Sequence, residues 1–342
     1  MVRYLDVDGH SVAWSVVGSG PILVYANWWP SHLEILWRDA EFRAAISMLA
    51  EHRSVVLYDR IGMGMSDRGA PLALDLATEV RTLAAVIDAQ GPGPVDLFGP
   101  SSGGPIAATY AAEHPDSVAN LVLWASYTRG SSVSSPTVRA SLLDLFDQDW
   151  ILGSRLFADT IFPHFSISDR RLFAKFLRLA TSRENGRAAL QALFDADVSS
   201  VLPRIAVPTR VIHRRDDTAI RVALGRELAA AIPGAEFVEL PGVDHMSWQG
   251  NARELHEAIL EFLGVPVAPR GQTAAPTLAG LSERELEILR LIARGMTDQQ
   301  IADRLVLSVH TVHRHVANIR TKTGANSRAA AIAWASEHKL LT

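Results

Sequence analysis

A serine between two glycines is the strongest candidate for chemistry in this chain. Ser101 lies in the segment GPSSG at residues 99–103, which follows the apolar run 95–98 and precedes a helical pattern. Such a turn between strand and helix exposes the serine hydroxyl, and the glycines keep the neighbouring space free of Cβ atoms. The helix N-terminus offers N–H groups and positive potential to an oxyanion. The spacing predicts a nucleophile at Ser101, not at Ser102, which has Pro100 where the first glycine should be.

The elements that must position this serine are short apolar runs alternating with helical patterns. Residues 2–7 and 12–17 flank Asp8-Gly9, a strong hairpin signal. Further runs lie at 22–25, 55–58, 95–98, 121–124, 211–213 and 237–240. Apolar strands alternating with helices favour a parallel sheet covered on both faces. Residues 127–200 are helical in pattern, which predicts a cap over the carboxyl ends of the strands, where such sheets bind ligands.

With this context around Ser101, residues 1–263 resemble the α/β-hydrolase family. A serine nucleophile needs a base and a carboxylate that orients the base, and the family's chain order is Ser, Asp or Glu, His. The resemblance implies that Asp217 is the acid, with Asp216 as the neighbour most easily confused with it, and that His245 is the base. The expected fold is an α/β-hydrolase fold, with a mostly parallel sheet and a helical cap.

The same resemblance implies an oxyanion hole and a ligand pocket. The N–H groups of Ser102 and Trp28 are the expected oxyanion donors. Ala26-Asn27, Arg214 (where glycine is usual in the family), Arg221 and Asp244 depart from the family's usual residues, but no triad member is missing. Aromatic side chains near the pocket loops favour a small, largely apolar ligand. The predicted ligand contacts are Asn27, Trp29, Trp150 and Trp248.

Composition limits the remaining possibilities. The chain has 342 residues, of which 48% are hydrophobic and 20% charged, so a largely disordered state is excluded and one or two domains are expected. Cysteine is absent, which excludes disulfides, thiolate-bound zinc and a cysteine nucleophile. The first residues lack the features of a signal peptide, and no apolar run is long enough for a membrane span. We therefore expect a cytoplasmic protein without membrane contact.

Charge and proline content divide the chain into two modules. Residues 278–342 carry nine Lys and Arg against six Asp and Glu, whereas the rest of the chain is net acidic. Residues 264–277 contain three prolines and show no helical or strand period, which predicts a linker. The predicted domains are residues 1–263 and 278–342, with the cap at about 127–200.

Residues 278–342 have the pattern of four short helices. Capping boxes begin the first two helices at Ser282 and Thr297, Ser308 caps the third, and a fourth covers 327–337. On the third helix Val309, Val312, Val316 and Ile319 form one apolar stripe, and the opposite face is polar and cationic. A short helix, a turn and such a helix make a helix-turn-helix.

This segment resembles the LuxR-type DNA-binding domain. The resemblance implies that His313, Arg314 and Ala317 face base edges, and that Thr297, Ser308, Thr311 and Lys322 contact phosphates. The small net charge predicts weak binding by one domain, so a homodimer on two half-sites of double-stranded DNA is expected. A metal site is not expected at His310, His313 and His315, and no cofactor is implied.

Together these features predict a transcription regulator. Its first domain senses, and has the residues to hydrolyse, a small apolar ester or lactone. A triad that forms but serves only as a receptor pocket is one alternative. Another is a serine hydrolase whose last domain serves only assembly or protein contacts.

Overall fold

The computed structural model describes residues 2–69, 74–266, 281, 283–305, 309–325, 327–338 and 340. The chain forms two compact units, Met1–Pro266 and Val267–Thr342. Of the linker predicted at 264–277, residues 267–277 lie outside the described residues.

An eight-stranded sheet forms the centre of the first unit. Its order is β1-β2-β4-β3-β5-β6-β7-β8; β1 and β2 run antiparallel to their neighbours and the others pair in parallel. Asp8 and Gly9 both have positive φ at the two-residue turn between β1 and β2. The strands are β1 (Arg3–Val7), β2 (His10–Val17), β3 (Ile22–Tyr25), β4 (Ser54–Tyr58), β5 (Val95–Pro100), β6 (Val118–Trp124), β7 (Thr209–Arg214) and β8 (Glu236–Leu240).

Ten helices are described in this unit. They are α1 (Leu33–Arg38), α2 (Ala40–Ala50), α3 (Leu76–Asp88), α4 (Gly103–Glu113), α5 (Pro136–Gln148), α6 (Trp150–Ile161), α7 (Ile167–Ala180), α8 (Arg183–Asp195), α9 (Val222–Ala230) and α10 (Ala252–Phe262). Helix α4 is buried along nearly its whole length, as expected for the helix that follows the central strand β5. The predicted fold class is confirmed.

Helices α5 to α8 form the part of the chain between β6 and β7. Each begins at a side-chain cap, in which Ser135, Asp149, Ser166 or Ser182 accepts a backbone N–H of the first turn. Such caps satisfy donors that a helix end leaves unpaired. Phe146, Phe157 and Leu177 bury the inner faces of these helices in the same core as the sheet.

The second unit has four described helices around its own core: α11 (Glu283–Ala293), α12 (Asp298–Leu305), α13 (Val309–Thr323) and α14 (Arg328–Glu337). At the start of α12, Thr297 Oγ1 accepts the N–H of Gln300, and Gln300 Oε1 accepts the N–H of Thr297. This reciprocal pair is the predicted capping box. Val312 and Ile319 of the apolar stripe are fully buried.

Candidate functional site

Ser101 lies at the turn between β5 and α4. Its φ of 50° falls in the left-handed region, and its N–H donates to the carbonyl of Trp124 at 2.7 Å. The turn is possible only with small neighbours: a Cβ on Gly99 would lie 2.7 Å from that of Ala107, and one on Gly103 would lie 2.0 Å from the Ala26 carbonyl oxygen. The glycines at 99 and 103 are thus required by close approach of the neighbouring chain.

The three predicted triad residues lie in one hydrogen-bonded row. His245 Nε2 is 2.9 Å from Ser101 Oγ, and His245 Nδ1 is 2.7 Å from Asp217 Oδ2. His245 and Asp217 are buried, whereas Asp216 is exposed. The structure therefore brings Asp217, not its neighbour, to the histidine. This row can transfer the serine proton to the imidazole while the carboxylate orients the ring.

The carboxylate of Asp217 is held in its charged form. Burial favours the protonated acid, but the charge of His245 and hydrogen bonds from His213 and His245 outweigh it and lower the pKa of Asp217. The second oxygen, Oδ1, accepts the N–H groups of Ala219 and Ile220 at 2.8 and 3.2 Å. A charged acid is what stabilises an imidazolium during proton transfer.

The loop after β3 lies against the turn that carries Ser101. Trp29 donates its N–H to Ser102 Oγ at 3.0 Å, and Ala26 donates its N–H to the Phe98 carbonyl at 2.8 Å. Within the described residues, no acceptor takes the N–H of Ser102 or of Trp28. Both donors assigned to the oxyanion hole are thus available to a ligand oxygen; that role stays a prediction.

Arg214 holds the two loops that carry the acid and the base. Its side chain is buried and donates to the carbonyls of Pro241 and Gln249, each at 3.0 Å. Its guanidinium lies 5.6 Å from the ring centre of Trp124, whose Nε1 donates to the His245 carbonyl at 2.8 Å. Sequence reasoning noted Arg214 only as a departure from the family's usual glycine and missed this role. A large cation in place of a glycine was the available signal.

A small cavity of about 10 Å³, room for about one water molecule, opens beside Ser101. Trp28 and the predicted ligand contact Trp248 are in its wall. The wall is completed by apolar and uncharged polar groups together with the base. The lining residues are Tyr25, Trp28, Pro100, Ser101, Trp124, His245, Met246, Ser247 and Trp248.

Three other predicted ligand contacts do not line this cavity. Asn27 is buried and its amide donates to the Tyr58 carbonyl at 2.8 Å, so it fixes the loop after β3. Trp29 packs edge-on against Phe157. Trp150 packs against Phe146 and Gly186. The size of these side chains and their position near the pocket loops predicted ligand contact. In the structure the Asn27 amide is used in a backbone hydrogen bond, and the two indole rings pack against neighbouring residues.

The second unit presents part of the predicted DNA-binding face. Thr297, His313 and Ala317 are exposed. His313 Nε2 lies 3.1 Å from Asp298 Oδ2. Lys322 donates to Glu285 Oε2 at 2.7 Å, an ion pair between α13 and α11 that sequence reasoning did not foresee. Ser308 and the side chains of Thr311 and Arg314 lie outside the described residues.

Comparison with known proteins finds two families in the chain. Residues 30–199 match the family described as "alpha/beta hydrolase fold", and residues 279–335 match "Bacterial regulatory proteins, luxR family". The chain joins an α/β-hydrolase domain to a LuxR-family domain. The α/β-hydrolase match includes Ser101 and ends before Asp217 and His245.

Relatives of the α/β-hydrolase domain include an esterase and a lactonase. A pimeloyl-[acyl-carrier protein] methyl ester esterase of Chromobacterium violaceum is 28% identical over 258 residues, 72% of this chain and 96% of the other. The enol-lactonase of Burkholderia xenovorans LB400 is 25% identical with a TM-score of 0.65, covering 77% of this chain and 100% of that one. A hydrolase of Pseudomonas aeruginosa PA01 is 26% identical with a TM-score of 0.67, covering 77% and 98%.

Neither a metal cluster nor a membrane span is found in the described part of the chain. No group of three or more His, Cys, Asp or Glu side chains there could hold a metal ion. No helix there combines the length and hydropathy that crossing a membrane requires.

Proposed function

We propose that this chain is a DNA-binding transcription regulator whose α/β-hydrolase domain senses a small apolar ester or lactone and hydrolyses it at Ser101. The observation that carries the proposal is the hydrogen-bonded row of Ser101, His245 and Asp217 in a chain that also has a LuxR-family domain. A DNA-binding role implies that the protein is cytoplasmic. It would bind two half-sites of DNA as a homodimer.

In the proposed reaction, Ser101 Oγ attacks the carbonyl carbon of the ester while His245 Nε2 takes its proton. The N–H groups of Ser102 and Trp28 hold the oxyanion. The bond to the alcohol oxygen then breaks, and His245 gives the proton to that oxygen. Water, activated by the same imidazole, attacks the acyl-enzyme and releases the acid, and Ser101 recovers its proton.

Two comparisons support an ester or lactone as the ligand class. The esterase of Chromobacterium violaceum and the enol-lactonase of Burkholderia xenovorans are both named for cleavage of a carbon–oxygen ester bond. A sensing role needs a ligand that binds one state of the protein more tightly than another, because equal affinity for both states shifts no equilibrium.

Full-length Ser101→Ala protein tests the proposal. We expect loss of p-nitrophenyl acetate hydrolysis and of Ser101 labelling by a fluorophosphonate, with selection from a random duplex library still giving a consensus sequence. Ser134→Ala is the control, since this serine lies outside the cavity lining. If selection from the duplex library gives no consensus sequence, the proposed role as a transcription regulator is contradicted. A hydrolase whose last domain serves assembly is then favoured. Absence of labelling and of hydrolysis in the wild-type protein, together with ligand-dependent DNA binding, would indicate a receptor without turnover.

A further inference from the structure

A groove between α6 and α7 is lined by charged side chains, unlike the cavity beside Ser101. Its volume is about 310 Å³, and it shares no lining residue with that cavity. Such a volume lies at the lower end of the roughly 300–1,000 Å³ that is typical of sites for small organic molecules. The groove therefore has room for a ligand of its own. Its lining residues are Arg155, Asp159, Ile167, Arg170 and Arg171.

The lining of this groove has an excess of positive charge. Three guanidinium groups are present with one carboxylate, and that carboxylate is already paired, since Asp159 Oδ1 lies 3.0 Å from Arg170 Nε. Arg155 and Arg171 are exposed, and neither forms an ion pair within the part of the chain that the structure describes. Two cations of the groove are thus available to a ligand.

A further arginine adds to this charge. Arg178, two turns beyond Arg171 on α7, donates to Ser154 Oγ at 2.6 Å, and burial together with the nearby charge of Arg155 lowers its pKa. Guanidinium groups that are held close together repel each other, and an anion between them removes this repulsion. Packing gives no reason for such a cluster at the surface, whereas anion binding does.

Arginine side chains favour an oxyanion as the ligand. A guanidinium is planar and can donate two parallel N–H bonds to the oxygens of one carboxylate or phosphate group. Arg155 and Arg171 line the groove from different helices, so a ligand with two such groups can pair with both. Ile167, one turn before Arg171, contributes apolar surface for the rest of the ligand.

We propose that the groove between α6 and α7 is a ligand site distinct from the cavity beside Ser101, and that it binds a small polyanion through Arg155 and Arg171. Carboxylate and phosphate groups both satisfy this chemistry. The site does not depend on hydrolysis at Ser101, because the groove and the cavity have no lining residue in common.

Isothermal titration calorimetry of the full-length protein with pyrophosphate, and separately with citrate, tests the proposal in a chloride buffer of low ionic strength. We expect saturable binding, and the tighter of the two anions distinguishes a phosphate from a carboxylate ligand. Arg155→Gln and Arg171→Gln should each raise Kd about tenfold. Arg171→Lys keeps the charge but loses the parallel donors, so it should raise Kd less. Arg183→Gln is the control, because it removes an exposed cation of α8 outside the lining.

Three results would overturn the proposal. The first is that neither anion binds the wild-type protein. The second is a Kd unchanged in either Arg155→Gln or Arg171→Gln, with far-ultraviolet circular dichroism showing that the variant folds, which would place the anion elsewhere, as on the basic LuxR-family domain. The third is an equal rise of Kd in Arg183→Gln, which would show that binding follows overall charge. All three leave hydrolysis at Ser101 and the proposed function intact.

Discussion

Arg214 connects the acid-bearing and base-bearing loops, and its geometry leads to the first prediction. Arg214→Lys keeps the charge, but a single ammonium cannot reach both the Pro241 and Gln249 carbonyls and stack on Trp124 as a guanidinium does. We expect a loss of about 1–3 kcal/mol of unfolding free energy. Because the loop of His245 loses an anchor, kcat for p-nitrophenyl acetate should fall about tenfold with little change in KM.

Arg215→Lys is the matched control, because Arg215 is the next residue and pairs with Glu239 at the surface. Urea unfolding followed by tryptophan fluorescence reports the α/β-hydrolase domain, where seven of the eight tryptophans lie. If Arg214→Lys is as stable and as active as Arg215→Lys, the assigned role of Arg214 is wrong.

His256 gives a pH-dependent prediction. It is buried on α10, and burial lowers its pKa to about 4 from an ordinary 6.5. Between these values the unfolded chain binds more protons than the folded one, so this group makes stability fall as pH decreases from 6.5 to 4. His256→Leu should remove this loss, worth about 3 kcal/mol at the acid end of the window.

The unfolding free energy of wild type must be compared with that of the variants at each pH, because Asp59 changes stability with pH in the opposite direction to His256. Burial raises the pKa of Asp59 to about 6 from 3.8, so its contribution makes stability fall as pH rises through that window. Urea unfolding at pH 7 and pH 4 for wild type, His256→Leu and the exposed-site control His52→Gln isolates the histidine. A stability difference between wild type and His256→Leu that does not change with pH would refute the assignment.

At the level of elements, apolar runs predicted the six strands β3 to β8, because a parallel sheet covered on both faces needs almost continuous hydrophobic sequence, and the Asp8-Gly9 hairpin signal predicted β1 and β2. The Asp8-Gly9 turn and the capping box at Thr297 were predictable for a local reason: their hydrogen bonds and backbone angles involve residues next to each other in sequence. The strand order, in which β4 lies between β2 and β3, has no such local signal.

Long-range contacts explain what sequence reasoning missed in the candidate site. Asn27 lies beside the catalytic loops, but only the fold shows that its amide is used by Tyr58, on a different strand. Arg214 acts through carbonyls about 30 positions further along the chain. Triad residues are easier to predict because the order of motifs along the chain identifies them.

The pair of α11 and α13 leads to a prediction about the LuxR-family domain. The side chain of Glu285 is 3% exposed and that of Lys322 is 39% exposed. Lys322→Gln removes the ammonium beside a buried carboxylate, so we expect a loss of about 1–2 kcal/mol, reduced from the value of a fully buried pair by solvent screening.

The double variant Glu285→Gln/Lys322→Gln removes both charges and should recover most of that loss, because it no longer buries a carboxylate without this cation. Unfolding of the full chain followed by far-ultraviolet circular dichroism gives the measurement. If Lys322→Gln is as stable as wild type, the ion pair does not stabilise this domain, and if the double variant recovers nothing, the loss does not come from the buried carboxylate.

At the scale of the whole molecule, the two domains differ in charge. The chain carries a net charge of −4, with the basic excess confined to residues 278–342. Since phosphate neutralisation supplies most non-specific DNA affinity, one copy of so weakly basic a domain should bind DNA poorly. Useful affinity then requires two copies acting together, which doubles the number of phosphate contacts without changing the domain.

Two identical domains acting together predict a symmetric DNA site. Selection with full-length protein from a random duplex library should yield two inverted half-sites about one helical turn apart, and sedimentation of the complex should give two chains per duplex.

Arg314→Ala should relax preference at one base position, and at the same position in each half, because each copy presents the same helix. Arg294→Ala, an exposed cation on the loop after α11, is the control and should leave base preference unchanged. A selected site with one half only, bound by one chain, would contradict the dimer, and base preference unchanged by Arg314→Ala would contradict the orientation assigned to α13.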